Sequence, residues 1–169
     1  MEKISEHISY KEAVYSATAK RKGIDNKPTK KQVENMKLIA EKVFEPLREW
    51  VGGAIKINSF FRNKATNQAV GGSSSSMHCQ GLAIDLDDIY GYKTNAEMFY
   101  YICENLEFDV AIWEFGDDEN PNWVHVSYRP GSNRGKILKA VKERGKTKYL
   151  YFKIWAKKSS HKQRLANFY

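Results

Sequence analysis

Apolar and polar positions along the chain follow two periods. Val33, Met36, Ile39, Ala40, Val43, Phe44 and Leu47 recur on one helical face, and Thr29-Lys30-Lys31-Gln32 supplies a capping box at the start of the run. Pro46 lies late in it, where it can kink or restart the helix before Gly52-Gly53. An earlier box, Ser9-Tyr10-Lys11-Glu12, predicts a helix that continues to about Lys22 and stops at Gly23. A third amphipathic helix is predicted over Thr94 to Leu106, where Met98, Phe99, Ile102 and Cys103 share a face. Elsewhere the period falls to two. Ala54 to Phe60 alternates like a strand, and Leu82, Ile84 and Leu86 alternate with Ala83, Asp85 and Asp87, so that one face is apolar and the other carries carboxylates. Val110 to Phe115 and Trp123 to Tyr128 read as two more strands around a turn-rich stretch, and Gly71 to Ser76 as a flexible polar loop. Helices that precede and interrupt strands, with no internal repeat, predict an α+β fold with a small, largely antiparallel sheet.

Composition changes this picture mainly at the C-terminus. With 169 residues, 41% of them hydrophobic and 13% aromatic, the chain can form a cored domain with an appendage. The expected division is a domain over 1–140 and a basic, aromatic extension over 141–169. The net charge of +8 is lopsided: Arg134 to Arg164 holds twelve Lys and Arg against the single acid Glu143. The remainder is slightly acidic. In the extension, cations interleave with Tyr149, Tyr151, Phe152, Trp155 and Phe168, a mixture suited to an anionic wall or outer-membrane surface, or to nucleic acid. The plainer reading is an edge strand and short helix with solvated lysines. No apolar run is long enough to span a bilayer, and Met1 to His7 has no apolar segment of the signal-peptide kind. The expected site of synthesis is therefore a cytoplasm, where Cys79 and Cys103 would stay reduced.

Two of the four histidines, His78 and His125, carry the candidate chemistry. His78 precedes a glycine turn at Gly81, and Asp85 follows in the strand beyond it, so loop and strand can converge on one ion. On the later strand Trp123, His125 and Ser127 share a face, while Val124 and Val126 point into the presumed core. A hydrolytic zinc takes three nitrogen or oxygen ligands and leaves a position open, and His, Asp, His provides that set. Each histidine taken alone is as readily a hydrogen-bonded structural residue.

Ser76-Met77-His78-Cys79-Gln80-Gly81-Leu82-Ala83-Ile84-Asp85, together with Trp123-Val124-His125 and Ser59-Phe60-Phe61-Arg62, resembles the LAS metallopeptidases over roughly residues 8 to 140. Within them it is most similar to the D-alanyl-D-alanine carboxypeptidases and phage endolysin peptidases of the L-Ala-D-Glu type. The resemblance implies a hedgehog-like, D-Ala-D-Ala-peptidase-like fold and one Zn2+ on His78, Asp85 and His125. It also implies a water acidified by the ion as nucleophile, and peptidoglycan stem peptides as partners. Arg62 would hold a substrate carboxylate or the oxyanion that forms when water adds to the peptide carbonyl. A phage-like member would be a monomer made in the host cytoplasm that meets the wall after release, or one packaged in a virion.

The sequence departs from the family pattern at Asn122, three residues before the second histidine, where an Asp or Glu shuttles the proton. An amide binds water but cannot accept and return a proton, so an acid/base contribution of about 10² to 10⁴ is missing there. Three explanations stand open: an engineered substitution that traps substrate, a natural pseudoenzyme that keeps the pocket for binding, or another base among Glu114, Asp118 and Glu119. The last two are the simplest to assign elsewhere, as residues of a solvated turn. The rival functions are an inactive zinc-containing peptidoglycan-binding protein and a basic nucleic-acid-binding module.

Overall fold

Helices begin where a side chain can accept the first free N–H groups. In the computed structural model, which describes residues 3–152, Thr29 caps α3 (Lys30–Ile39) and Thr94 caps α6 (Asn95–Asn105), each with a complete capping box. The predicted helix from Tyr10 to Lys22 is instead two pieces, α1 (Tyr10–Ala13) and α2 (Ala17–Lys22). Ser16 turns its hydroxyl to the N–H of Ala19 and so caps a second helix inside the run, and Gly23 ends it in the left-handed region. After α3 the chain widens into a π turn, Ala40–Phe44, before α4 (Glu45–Val51). Pro46, which has no N–H to give and crowds the preceding turn, accounts for the wider winding. A short helix, α5 (Lys64–Ala69), starts at the Asn63 cap.

Six strands form one sheet: β1 (Lys56–Ser59), β2 (Ala83–Asp87), β3 (Val110–Glu114), β4 (Trp123–Ser127), β5 (Lys136–Glu143) and β6 (Lys146–Tyr151), in the order β1-β2-β4-β3-β5-β6. The expectation of a largely antiparallel sheet gives way to a mixed one, because β5 runs parallel to β3. The return from β4 to the far side of β3 is clamped by Asp109. Its fully buried carboxylate accepts two 2.6 Å hydrogen bonds from Arg134, and the Lys136 N–H bonds its main-chain carbonyl. The β5–β6 hairpin, which crosses the 140/141 position, continues this sheet, and the stretch with Trp155 and Phe168 lies outside the described residues. Both cysteines are free.

One face of the sheet is the core. Ile84, Leu86, Ala111, Trp113, Val124 and Val126 pack with Met36, Ile39, Phe44, Leu47, Met98, Phe99 and Ile102 of the helices. Phe152 closes the end of this layer, with its ring stacked on Trp113 and edge-on to Phe99. By strand alternation, Asp85, His125 and Glu114 belong to the other face.

Candidate metal centre

Register builds the centre. Asp85 lies opposite His125 in the β2–β4 ladder, and His125 opposite Ile112 in the β4–β3 ladder, so the carboxylate and imidazole stand side by side on rigid strands. His125 Nδ1 is 2.8 Å from Asp85 Oδ1. His78 comes from a 3₁₀ turn, Met77–Gln80, just before β2. Helix α3 holds that turn: Gln32 Nε2 donates to the Cys79 carbonyl at 2.9 Å, and Asn35 Nδ2 to the Gln80 carbonyl at 2.8 Å. Gly81 ends the turn at φ +70°, and a Cβ there would sit 2.6 Å from the Gln32 carbonyl oxygen. Only glycine allows both the backbone conformation and the close approach.

The imidazole of His78 is almost wholly buried, at 2% exposure. Its Nδ1 lies 2.6 Å from the Phe60 carbonyl oxygen, an acceptor only, so the hydrogen sits on Nδ1 and Nε2 keeps its lone pair. Burial is the largest influence on this ring and lowers its pKa, which favours the neutral form a metal requires. Nε2 is 3.2 Å from Asp85 Oδ2 but has no hydrogen bond, which leaves a buried nitrogen lone pair turned towards a carboxylate. Burial alone would raise the Asp85 pKa, yet the two imidazoles outweigh it and hold the carboxyl well below the usual range. His78, Asp85 and His125 each offer a ligand atom within 4.8 Å of the others. Two imidazole nitrogens and one carboxylate oxygen are a donor set that fits Zn2+.

The Peptidase M15 family profile matches residues 6–127, from before α1 to the last residue of β4. The chain belongs to the Peptidase M15 family. No curated protein matches it. M15 peptidases are zinc-dependent metallopeptidases, and the three side chains expected from sequence to hold the ion are the three that converge.

The other sequence candidates fall in different places. Arg62 follows β1 and is half-buried, its Nε without a hydrogen-bond partner and its charge felt at both His78 and Glu114. Its N–H bonds the His78 carbonyl at 3.3 Å, so these two candidate residues share a backbone link. Asn122 is exposed. Its main chain is pinned, with the N–H on the Glu114 carbonyl and the carbonyl taking a hydrogen bond from Asn95. Asp118 pairs with Lys139 out in solvent, and Glu119 is exposed in the same turn. Glu114 is the exception among the three acids, buried and on the metal face of β3. Burial pushes its carboxyl up to about 7, against a lowering influence from His125. A second residue emerges from the hairpin beyond the M15 match. Tyr149 pairs with Ala140, which pairs with Glu114, so its ring is on the site face, and its phenol senses the charges of Glu114 and Asp85.

Proposed function

We propose that the chain is a zinc-dependent peptidase of bacterial peptidoglycan stem peptides, of the carboxypeptidase or endolysin type. The observation that carries the metal assignment is the buried Nε2 of His78, which has no hydrogen bond and faces Asp85 and His125. When bound, the ion polarises the scissile carbonyl and acidifies a water. His78, Asp85 and His125 would hold it. Arg62, a fixed cation at the edge of the same site, would receive the negative charge of the carbonyl oxygen or of a terminal carboxylate. Asn122 stands where family members carry an acid and can orient water without moving its proton, so turnover is reduced relative to an Asp in that place. Among the described residues no helix is long and apolar enough to cross a membrane. In this reading the chain reaches the wall on release from its host cell or with a virion, and the basic extension adds affinity for an anionic wall or outer-membrane surface.

Metal analysis, with mass spectrometry of digested peptidoglycan, tests the reading on the chain and its Asn122→Asp form. Zinc-dependent cleavage at one type of stem-peptide bond supports it. Binding of wall without cleavage by either form identifies a non-catalytic wall-binding protein. Salt-sensitive nucleic-acid binding that survives chelation and His78→Ala identifies a basic binding module instead.

A further inference from the structure

Glu114 is a carboxylate with no visible structural employment. It is 7% exposed, at the end of a strand buried along most of its length. Among the described residues its carboxylate feels His125, Asp85 and Arg62 as nearby charges, with no hydrogen bond to any of them. A carboxylate held largely out of water without a hydrogen bond is costly, and one so placed on the face that carries Asp85 and His125 is a functional-site candidate.

Its position is set by the same registers that set the ligands. Asp85, His125 and Ile112 form one row across β2, β4 and β3. Glu114 is two residues beyond Ile112, opposite Trp123, and so lies on the same face one step diagonal to His125. The backbone beyond it is held in an unusual shape. Phe115 at φ 55° and Gly116 at φ 69° turn the chain in the left-handed region, and the ring of Phe115 packs against Trp123. A non-glycine residue at such an angle stores strain that surrounding contacts must sustain. Here the Phe115 N–H bonds Ala140, and the Asn122 N–H bonds the Glu114 carbonyl, so the end of β3 is fixed from both neighbouring strands.

We infer that Glu114 is the residue that carries the proton in peptide hydrolysis at this site. The inference rests on the zinc-peptidase reading above. As a water oxygen bonds to the scissile carbonyl carbon, one of its protons passes to the Glu114 carboxylate, and the carbonyl π pair moves onto oxygen, facing Arg62. The C–N bond then breaks with its electron pair going to nitrogen, which takes the proton from Glu114. The products are a carboxylic acid and an amine, and Glu114 is again a carboxylate.

The test compares the zinc-loaded chain with Glu114→Gln and Glu114→Asp on a defined stem peptide, together with zinc content and the melting temperature of the chelated proteins. Glu114→Gln is expected to keep about one zinc per chain, to hold KM within about threefold and to lose about 10² to 10⁴ in kcat. Its chelated form should melt higher than the chelated parent, because the buried charge is gone. Glu114→Asp, which keeps the carboxylate but shortens its reach, should fall between the two. Unchanged kcat in Glu114→Gln overturns the assignment alone, and loss of zinc does the same by making Glu114 a ligand. If Glu114→Gln fails to fold, full activity in Glu114→Asp overturns it. A zinc-loaded parent that cuts no stem peptide overturns the peptidase reading and this assignment together.

Discussion

Asp85 and His125 face each other directly across the β2–β4 ladder, and the carboxylate meets the imidazole Nδ1 at 2.8 Å. Two of the three proposed ligands are thus placed by strand pairing, which adjusts little when an ion binds. The third, His78, depends on a turn that α3 clamps from outside. The centre is therefore preorganised on two sides and dependent on one helix on the third.

That dependence is tested at Gly81. A side chain there would meet the Gln32 carbonyl at 2.6 Å with φ already at +70°. Gly81→Ala is expected to cost about 1 to 3 kcal/mol in denaturant unfolding. Zinc affinity should also fall by about tenfold or more, because the displaced turn carries His78. Competition with a coloured chelator reads the second effect. Unaltered affinity in a destabilised protein would show that α3 does not position the ligand.

Asn122→Asp places an acid three residues before His125, where the proposed peptidase would use one. Turnover on stem peptide should rise by roughly tenfold or more, because a second acid joins Glu114 in moving the proton. Full activity in the chain as it stands, with no gain on substitution, would remove the idea that Asn122 limits it.

Glu114 predicts a pH signature in the chelated protein. Its folded pKa, about 7, lies above the ordinary glutamate value of 4.5, so the folded state binds more protons between those values and this group's contribution to stability falls as pH rises through them. At full ionisation the penalty reaches about 3 kcal/mol. Thermal unfolding of parent and Glu114→Gln should therefore nearly coincide at about pH 4.5 and separate by pH 8, with the variant the more stable. A constant difference across that range would mean that the Glu114 carboxyl is not raised by burial.

Tyr149 presents a half-exposed ring, at 55%, beside Glu114 on the site face. Burial of the rest of its side chain, with the charges of Glu114 and Asp85, raises the phenol pKa, so the hydroxyl stays protonated and able to donate. Tyr149→Ala should raise KM for stem peptide by about fivefold with a smaller change in kcat, and Tyr149→Phe should do less. Steady-state kinetics decide it. An unchanged KM in Tyr149→Ala would place the hairpin outside the substrate cleft.

The meeting of Asp85 and His125 on one face could be read in the sequence because the alternation of apolar and polar residues marks the two sides of each strand. Val124 and Val126 against Trp123 and His125, and Ile84 and Leu86 against Asp85, give the parity directly. The cap at Thr29 is equally plain, since a hydroxyl and an acceptor three residues apart mark a helix start locally. Glu114 was opaque for the opposite reason. Val110-Ala111-Ile112-Trp113 is apolar on both faces, so alternation carries no signal as to where the next side chain points. The parallel β3–β5 pairing was hidden as well, because it depends on the Asp109–Arg134 clamp between distant residues and not on any local pattern. The break at Ser16 was missed because a serine inside a helical run signals a new cap only if its hydroxyl turns back to the main chain.

The proposed peptidase depends on a zinc ion held by His78, Asp85 and His125. The most direct measurement is the metal-to-protein ratio, by inductively coupled plasma mass spectrometry, of the chain and its His78→Ala form after zinc loading and desalting. About one zinc per chain is expected in the parent and a small fraction of that in the variant. Equal zinc in both, or none in the parent, would contradict it.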